Sequence, residues 1–125
     1  MIISTGIDIV EVYRIAETMT RTPRFGERVF TDSERAYCDS KGAAAAQSYA
    51  GRFAAKEAFL KALQTGWRGR ITWHDIEILT DGQGVPTLRV SGEASTLFEN
   101  SGATRMHLSI SHTSEHAVAQ VIFEK

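Results

Sequence analysis

The sequence predicts an α+β fold in which a mostly antiparallel sheet packs against one long central helix. Three observations carry that prediction. Segments rich in β-branched or alternating residues open and close the chain, at 2–12, 105–112 and 116–123. Two more strand-like segments, 71–80 and 85–91, flank Asp81-Gly82-Gln83-Gly84, a strong hairpin signal. Between these halves, residues 44–63 contain no proline and are rich in alanine, the best helix former. With 125 residues, 42% hydrophobic and 23% charged, residues 1–125 are expected to make a single globular domain with a core of its own.

Taken in order, residues 2–12 are expected as a strand. Side chains alternate along it, so Ile7 and Ile9 are expected toward the core and Asp8 on the other face. Val12, Ile15, Ala16 and Met19 then recur at helical spacing, and a loop follows around Pro23. Thr31-Asp32-Ser33-Glu34 has the capping-box pattern, which places a short helix at 32–40. The long helix is expected to stop near Gly66. In the hairpin, Pro86 sits early in its strand, where a missing N–H is tolerated. Residues 93–100 read as a helix stopped by Gly102, and Thr113-Ser114-Glu115 turns the last strand pair.

Composition excludes several classes of function. A net charge of −1 gives no global field for nucleic acid. No stretch is long and apolar enough to span a membrane, and the first residues lack the pattern of a signal peptide, so a cytoplasmic location is expected. The single cysteine, Cys38, fits a reducing compartment and a buried thiol. Charge is uneven locally, however: residues 12–30 hold Arg14, Arg21, Arg24 and Arg28 against only Glu17 and Glu27.

On a helical wheel the long helix is unlike an ordinary surface helix. Ala54, Ala55, Ala58, Phe59 and Ala62 share one arc, small enough for another element to approach closely. Arg52, Lys56, Glu57 and Lys61 share the rest with Phe53, Leu60 and Leu63. Charges mixed with bulky apolar groups need partners or a route to water. Glu57 and Lys61 stand at the spacing of a surface ion pair, and Arg52 with Lys56 at the spacing of a mild repulsion that an anion or a carboxylate would relieve.

Three segments carry chemistry together. Gly6-Ile7-Asp8 puts an acid among aliphatic residues near the start, a position that also suits a solvent-facing edge. Phe53-Ala54-Ala55-Lys56-Glu57-Ala58, with Lys61, lies on the long helix, and Ser109-Ile110-Ser111-His112 ends a strand. In this order and spacing the chain resembles the phosphopantetheinyl transferases, with a G-[IV]-D segment, an [FW]-x-x-K-E-[AS]-x-x-K helix and an S-x-S-H strand end. The likeness runs over residues 3–124, and the length matches the short holo-acyl-carrier-protein synthase class.

That resemblance implies the phosphopantetheinyl transferase fold and a reaction in fatty acid biosynthesis. Coenzyme A gives its 4′-phosphopantetheine arm to a serine of apo-acyl carrier protein, releasing adenosine 3′,5′-bisphosphate. It implies magnesium held by Asp8 and Glu57, with Lys61 as a third catalytic residue, and leaves Glu57, a metal-bound water or Lys61 open as the base. Two carboxylates completed by phosphate oxygens and waters suit that ion. Arg52, Lys56, Lys61, His112 and Thr113 are implied coenzyme A contacts, Arg52 being suited to bidentate phosphate binding. Arg14, Arg21, Arg24 and Arg28 are implied docking residues for the acidic carrier protein. Short members are homotrimers with interfacial active sites, and exposed aliphatics on the last two strands would suit a threefold contact; Asp8 and the Glu57 helix then need not meet within one chain. His74, His107 and His116 receive no role, and Trp67 and Trp73 read as core or interface aromatics. A noncatalytic coenzyme A-binding module and an oligomeric scaffold stapled by salt bridges remain as alternatives.

Overall fold

The structure, a computed structural model, describes residues 1–65 and 69–125. Trp67 and the helix stop expected near Gly66 lie outside the described residues. In chain order the elements are β1 (Ile2–Glu11), α1 (Val12–Arg21), α2 (Arg24–Val29), α3 (Asp32–Asp39), α4 (Ala45–Leu63), β2 (Ile76–Thr80), β3 (Pro86–Val90), α5 (Gly92–Asn100), β4 (Arg105–His112) and β5 (His116–Glu124). β1, β5 and β4 form an antiparallel sheet in that order, and β2 with β3 an antiparallel hairpin. The expected α+β class with a long central helix is observed.

α4 lies on one face of the three-stranded sheet, and small residues let it come close. Ala54, Ala55 and Ala58 are wholly buried, and Ser4 Oγ donates to the carbonyl of Ala62 at 2.6 Å. A Cβ added to Gly6 would lie 1.9 Å from the carbonyl oxygen of Ala58, so the backbones of β1 and α4 touch there. This contact reverses the strand parity expected from the sequence. Ser4, Gly6 and Asp8 face the helix, whereas Ile7 and Ile9 are 58% and 65% exposed on the opposite face of the sheet. Branched side chains would hold the helix off; the pleat therefore sends them outward.

Two other expectations are corrected locally. The loop around Pro23 is followed at once by α2, for which the fixed φ of proline preorganises a first turn. The strand expected from residue 71 begins only at Ile76, because Thr72 and Asp75 close a short 3₁₀ turn through Thr72 N–H to Asp75 Oδ2 at 3.2 Å. The capping box at Thr31 forms as expected: Thr31 Oγ1 accepts from the Glu34 amide, and Glu34 Oε1 from the Thr31 amide at 2.9 Å. Cys38 is buried, and Trp73 packs on Phe53 with ring centroids 5.3 Å apart.

Candidate active site

The close approach of β1 and α4 positions the first group of candidate residues. Asp8 stands two residues beyond Gly6 on the same, helix-facing side of β1. Lys61, from the last turns of α4, donates to Asp8 Oδ1 and to the carbonyl of Ile7, each at 3.0 Å. Glu57 lies one helical turn before Lys61. Burial, and then the negative charge of Asp8, push its carboxyl above the usual range, against the opposing pull of Lys61. All three residues therefore converge within a single chain, and the expectation that Asp8 and the Glu57 helix need not meet in one chain is corrected.

This donor set fits magnesium. Two neighbouring carboxylates beside one lysine leave surplus negative charge, and the Asp8 charge adds to the larger effect of burial in pushing Glu57 up. Among the described residues no cluster of three or more histidine, cysteine, aspartate or glutamate side chains is present to hold a metal by itself. An ion here would thus complete its oxygen shell from substrate and water, as magnesium does.

A second group lines a cavity of ≈ 360 Å³ between α3, α4, the β2–β3 hairpin and β4. Arg52 and His112 belong to it, joined by Tyr37, Lys41 and Thr80, which the sequence reading missed. Arg52 is 5% exposed; its guanidinium stacks 4.1 Å from the Tyr37 ring centroid and donates to Thr80 Oγ1 at 2.6 Å. Its Nε is buried without a hydrogen-bond partner. Lys41 Nζ lies 4.6 Å from the Tyr37 centroid, and His112 Nδ1 is held by Gln47 Oε1 at 2.9 Å. Among the described residues no carboxylate lines this cavity, so its field favours a phosphate. For Tyr37, Lys41 and Thr80 the sequence offered only the four-residue step from Tyr37 to Lys41, which spans the end of α3 and marks no particular function.

Lys56 departs from its expected role. Its side chain is wholly buried, and its ammonium donates to Glu34 Oε1 at 2.8 Å, the Val29 carbonyl at 2.8 Å and the Trp73 carbonyl at 3.0 Å. Three donors are all a lysine has, so none remains for a coenzyme A phosphate. The carboxylate that relieves its repulsion with Arg52 is Glu34, not a ligand. Burial pushes the Lys56 ammonium down, against the opposing charge of Glu34.

The remaining candidates divide. Arg14, Arg21, Arg24 and Arg28 are all exposed along α1 and α2, with Arg14 paired to Glu11 at 2.9 Å and Arg21 to Glu17. Thr113 is not among the cavity residues; its Oγ1 accepts from the amides of Glu115 and His116 and so shapes the β4–β5 turn. His74 donates to the Glu27 carbonyl, and His107 pairs with Glu124.

The two groups occupy opposite flanks of α4. Glu57 and Lys61 leave the helix about 140° and about 180° around from Arg52. The first flank borders β1. On the second, Gly51 abuts Ile110 of β4, the strand that ends in His112. On the outward face of the sheet Ile7 and Ile9 pair with Gln120 and Val118; the exposed aliphatics lie on β1, whereas those of the last two strands are half-buried or buried, which corrects the expectation that placed the exposed ones there.

Comparison with known proteins agrees with this geometry. Residues 4–121 match the family described as the 4′-phosphopantetheinyl transferase superfamily. The chain is 50% identical to the holo-[acyl-carrier-protein] synthase of Koribacter versatilis, with 99% of each chain covered. It is similar to the crystal structure of holo-[acyl-carrier-protein] synthase from Neisseria meningitidis, with 36% identity, a TM-score of 0.87 and 100% of each chain covered. It is also similar to a Bacillus anthracis holo-(acyl-carrier-protein) synthase in complex with CoA (3′,5′-ADP), with 42% identity and a TM-score of 0.80, covering 99% of this chain and 97% of that one.

Proposed function

The chain belongs to the 4′-phosphopantetheinyl transferase superfamily, and from that premise we propose that it transfers the 4′-phosphopantetheine arm of coenzyme A to a serine of apo-acyl carrier protein. The reaction is magnesium-dependent, releases adenosine 3′,5′-bisphosphate and serves fatty acid biosynthesis in the cytoplasm. The observation that carries this reading is the convergence of Asp8, Glu57 and Lys61, which suits a divalent cation and a phosphate together.

Asp8 and Glu57 hold the ion, which when bound supplies Lewis-acid neutralisation of charge building on the donor's phosphates. Lys61 spends two hydrogens on Ile7 and Asp8 and keeps its third for a phosphate oxygen. A lysine so paired is a charge stabiliser rather than a base. The serine proton is left to a carboxylate or a water beside the ion. The serine oxygen forms its bond to the β-phosphorus as the bond from that phosphorus to the bridging oxygen breaks, and the nucleotide bisphosphate leaves. Arg52, Lys41 and His112 hold that nucleotide half, with Thr113 shaping the turn beside His112. Arg14, Arg21, Arg24 and Arg28 steer the acidic carrier protein to α1 and α2.

One nucleotide cannot lie in the Arg52 cavity and reach the carboxylates of the same chain, because α4 stands between them. Head-to-tail association of the β1 flank of one subunit with the β4 flank of the next brings the two half-sites together, and a closed ring of three repeats that contact around the Ile7 and Ile9 face. The test is to incubate the protein with apo-acyl carrier protein, coenzyme A and magnesium, and to measure the intact mass of the carrier. A gain of one phosphopantetheine, lost when magnesium is omitted, is expected; an unchanged carrier refutes the reading.

A further inference from the structure

The Lys56–Glu34 pair has more partners than a core needs. Both side chains are buried, Lys56 at 0% and Glu34 at 1% exposure. Glu34 Oε1 accepts from Lys56 and from the Thr31 amide, and Oε2 from the Ile78 amide at 2.9 Å. Lys56 in turn holds the carbonyls of Val29 and Trp73. One ion pair therefore joins the end of α2, the start of α3, the 3₁₀ turn before β2, β2 itself and α4. Burying such a pair is no route to stability, since apolar residues of similar volume commonly do as well or better. Its effect is to fix relative positions.

The elements it fixes are the ones the proposed reaction must bring into register. Val29 is the last residue of α2, whose six residues carry exposed Arg24 and Arg28. A helix this short has little stability of its own, and a cation on its terminal carbonyl is an effective anchor. Lys56 immediately precedes Glu57 on α4, so the anchor of the basic surface and the metal-ligating carboxylate are adjacent on one rigid helix.

We propose that the buried Lys56–Glu34 pair is a positioning device for the acceptor, holding the basic helix α2 at a set offset from Glu57 and so governing how the carrier protein's serine is presented. The inference rests on the transfer reaction proposed above. It assigns Lys56 no contact with substrate.

The test replaces both charges, as Lys56→Met with Glu34→Gln, and compares the double variant with wild type under steady-state transfer. The expected result is a KM for the carrier protein raised about tenfold, with the dissociation constant of coenzyme A, read by calorimetry, within about twofold of wild type. Equal carrier KM in a folded double variant overturns the proposal and leaves the pair a core feature. Absence of transfer by wild type would instead refute the proposed function itself. A second measurement needs no variant: amide hydrogen exchange of wild-type α2 is expected to be slowed to the level of α3. Exchange of the α2 amides as fast as in an unanchored helix overturns the proposal, whether or not the double variant folds.

Discussion

Gly6→Ala is the sharpest perturbation of the link between packing and chemistry. The added Cβ would lie 1.9 Å from the Ala58 carbonyl oxygen and 2.7 Å from the Ala62 nitrogen, both backbone atoms that no rotamer change can move. Bringing the first contact to about 3 Å requires β1 and α4 to separate by about 1 Å, an overpacking that costs about 3 kcal/mol or more. For a domain of this size the melting temperature should fall by roughly 10 °C. The same separation would stretch the Lys61–Asp8 bond from 3.0 Å beyond hydrogen-bond range. A misplacement of about 1 Å costs about a hundredfold in rate. Thermal unfolding and a carrier-mass assay, run well below the new melting temperature, read the two effects separately. Gly82→Ala, where an added Cβ meets nothing within 4 Å, is the control and should change neither. Wild-type stability and rate in Gly6→Ala would refute the argument that this glycine sets the site.

Three further predictions concern charge. Glu57 has its carboxyl pushed up in the fold, so its ionised form costs stability at neutral pH, and that cost disappears as pH falls through the folded-state value. Glu57→Gln should therefore lose about 10²- to 10⁴-fold in kcat while keeping or gaining thermal stability at neutral pH, a gap that closes on acidification. For the same reason the magnesium concentration needed by wild type should rise on acidification from a higher pH than an ordinary glutamate gives; a requirement independent of pH would remove Glu57 from the metal. Reversing Arg24 and Arg28 to Glu should raise the carrier KM severalfold at low salt and leave coenzyme A binding unchanged, the difference shrinking as salt screens it. Equal KM values at low salt would take α2 out of the docking surface.

Element types were largely legible because they follow from local pattern: the capping box at Thr31, the hairpin at Asp81 to Gly84 and the alanine run of α4 each formed where expected. Which face of β1 met the core was not. Hydrophobicity favoured Ile7 and Ile9, but the helix above required Ser4 and Gly6, and only the tertiary contact decides between them. The site showed the same division. Asp8, Glu57 and Lys61 stood out through a motif and were found together, whereas Lys56, of the same motif, turned out to be satisfied inside the core. Its partner Glu34 was visible only as a helix cap. Tyr37 and Lys41 come from one segment and Thr80 from another far along the chain, and no local spacing announces that the two meet.

In the proposed assembly, two half-sites on opposite flanks of α4 complete each other between subunits. Co-expressing Asp8→Ala chains with Arg52→Ala chains tests it directly, since each variant alone should be inactive in phosphopantetheine transfer. Random mixing around a ring places an intact carboxylate flank against an intact cationic cavity at about a quarter of the interfaces. The account predicts recovery of about a quarter of wild-type activity in the mixed assembly. Mixed assemblies as inactive as either parent would contradict it.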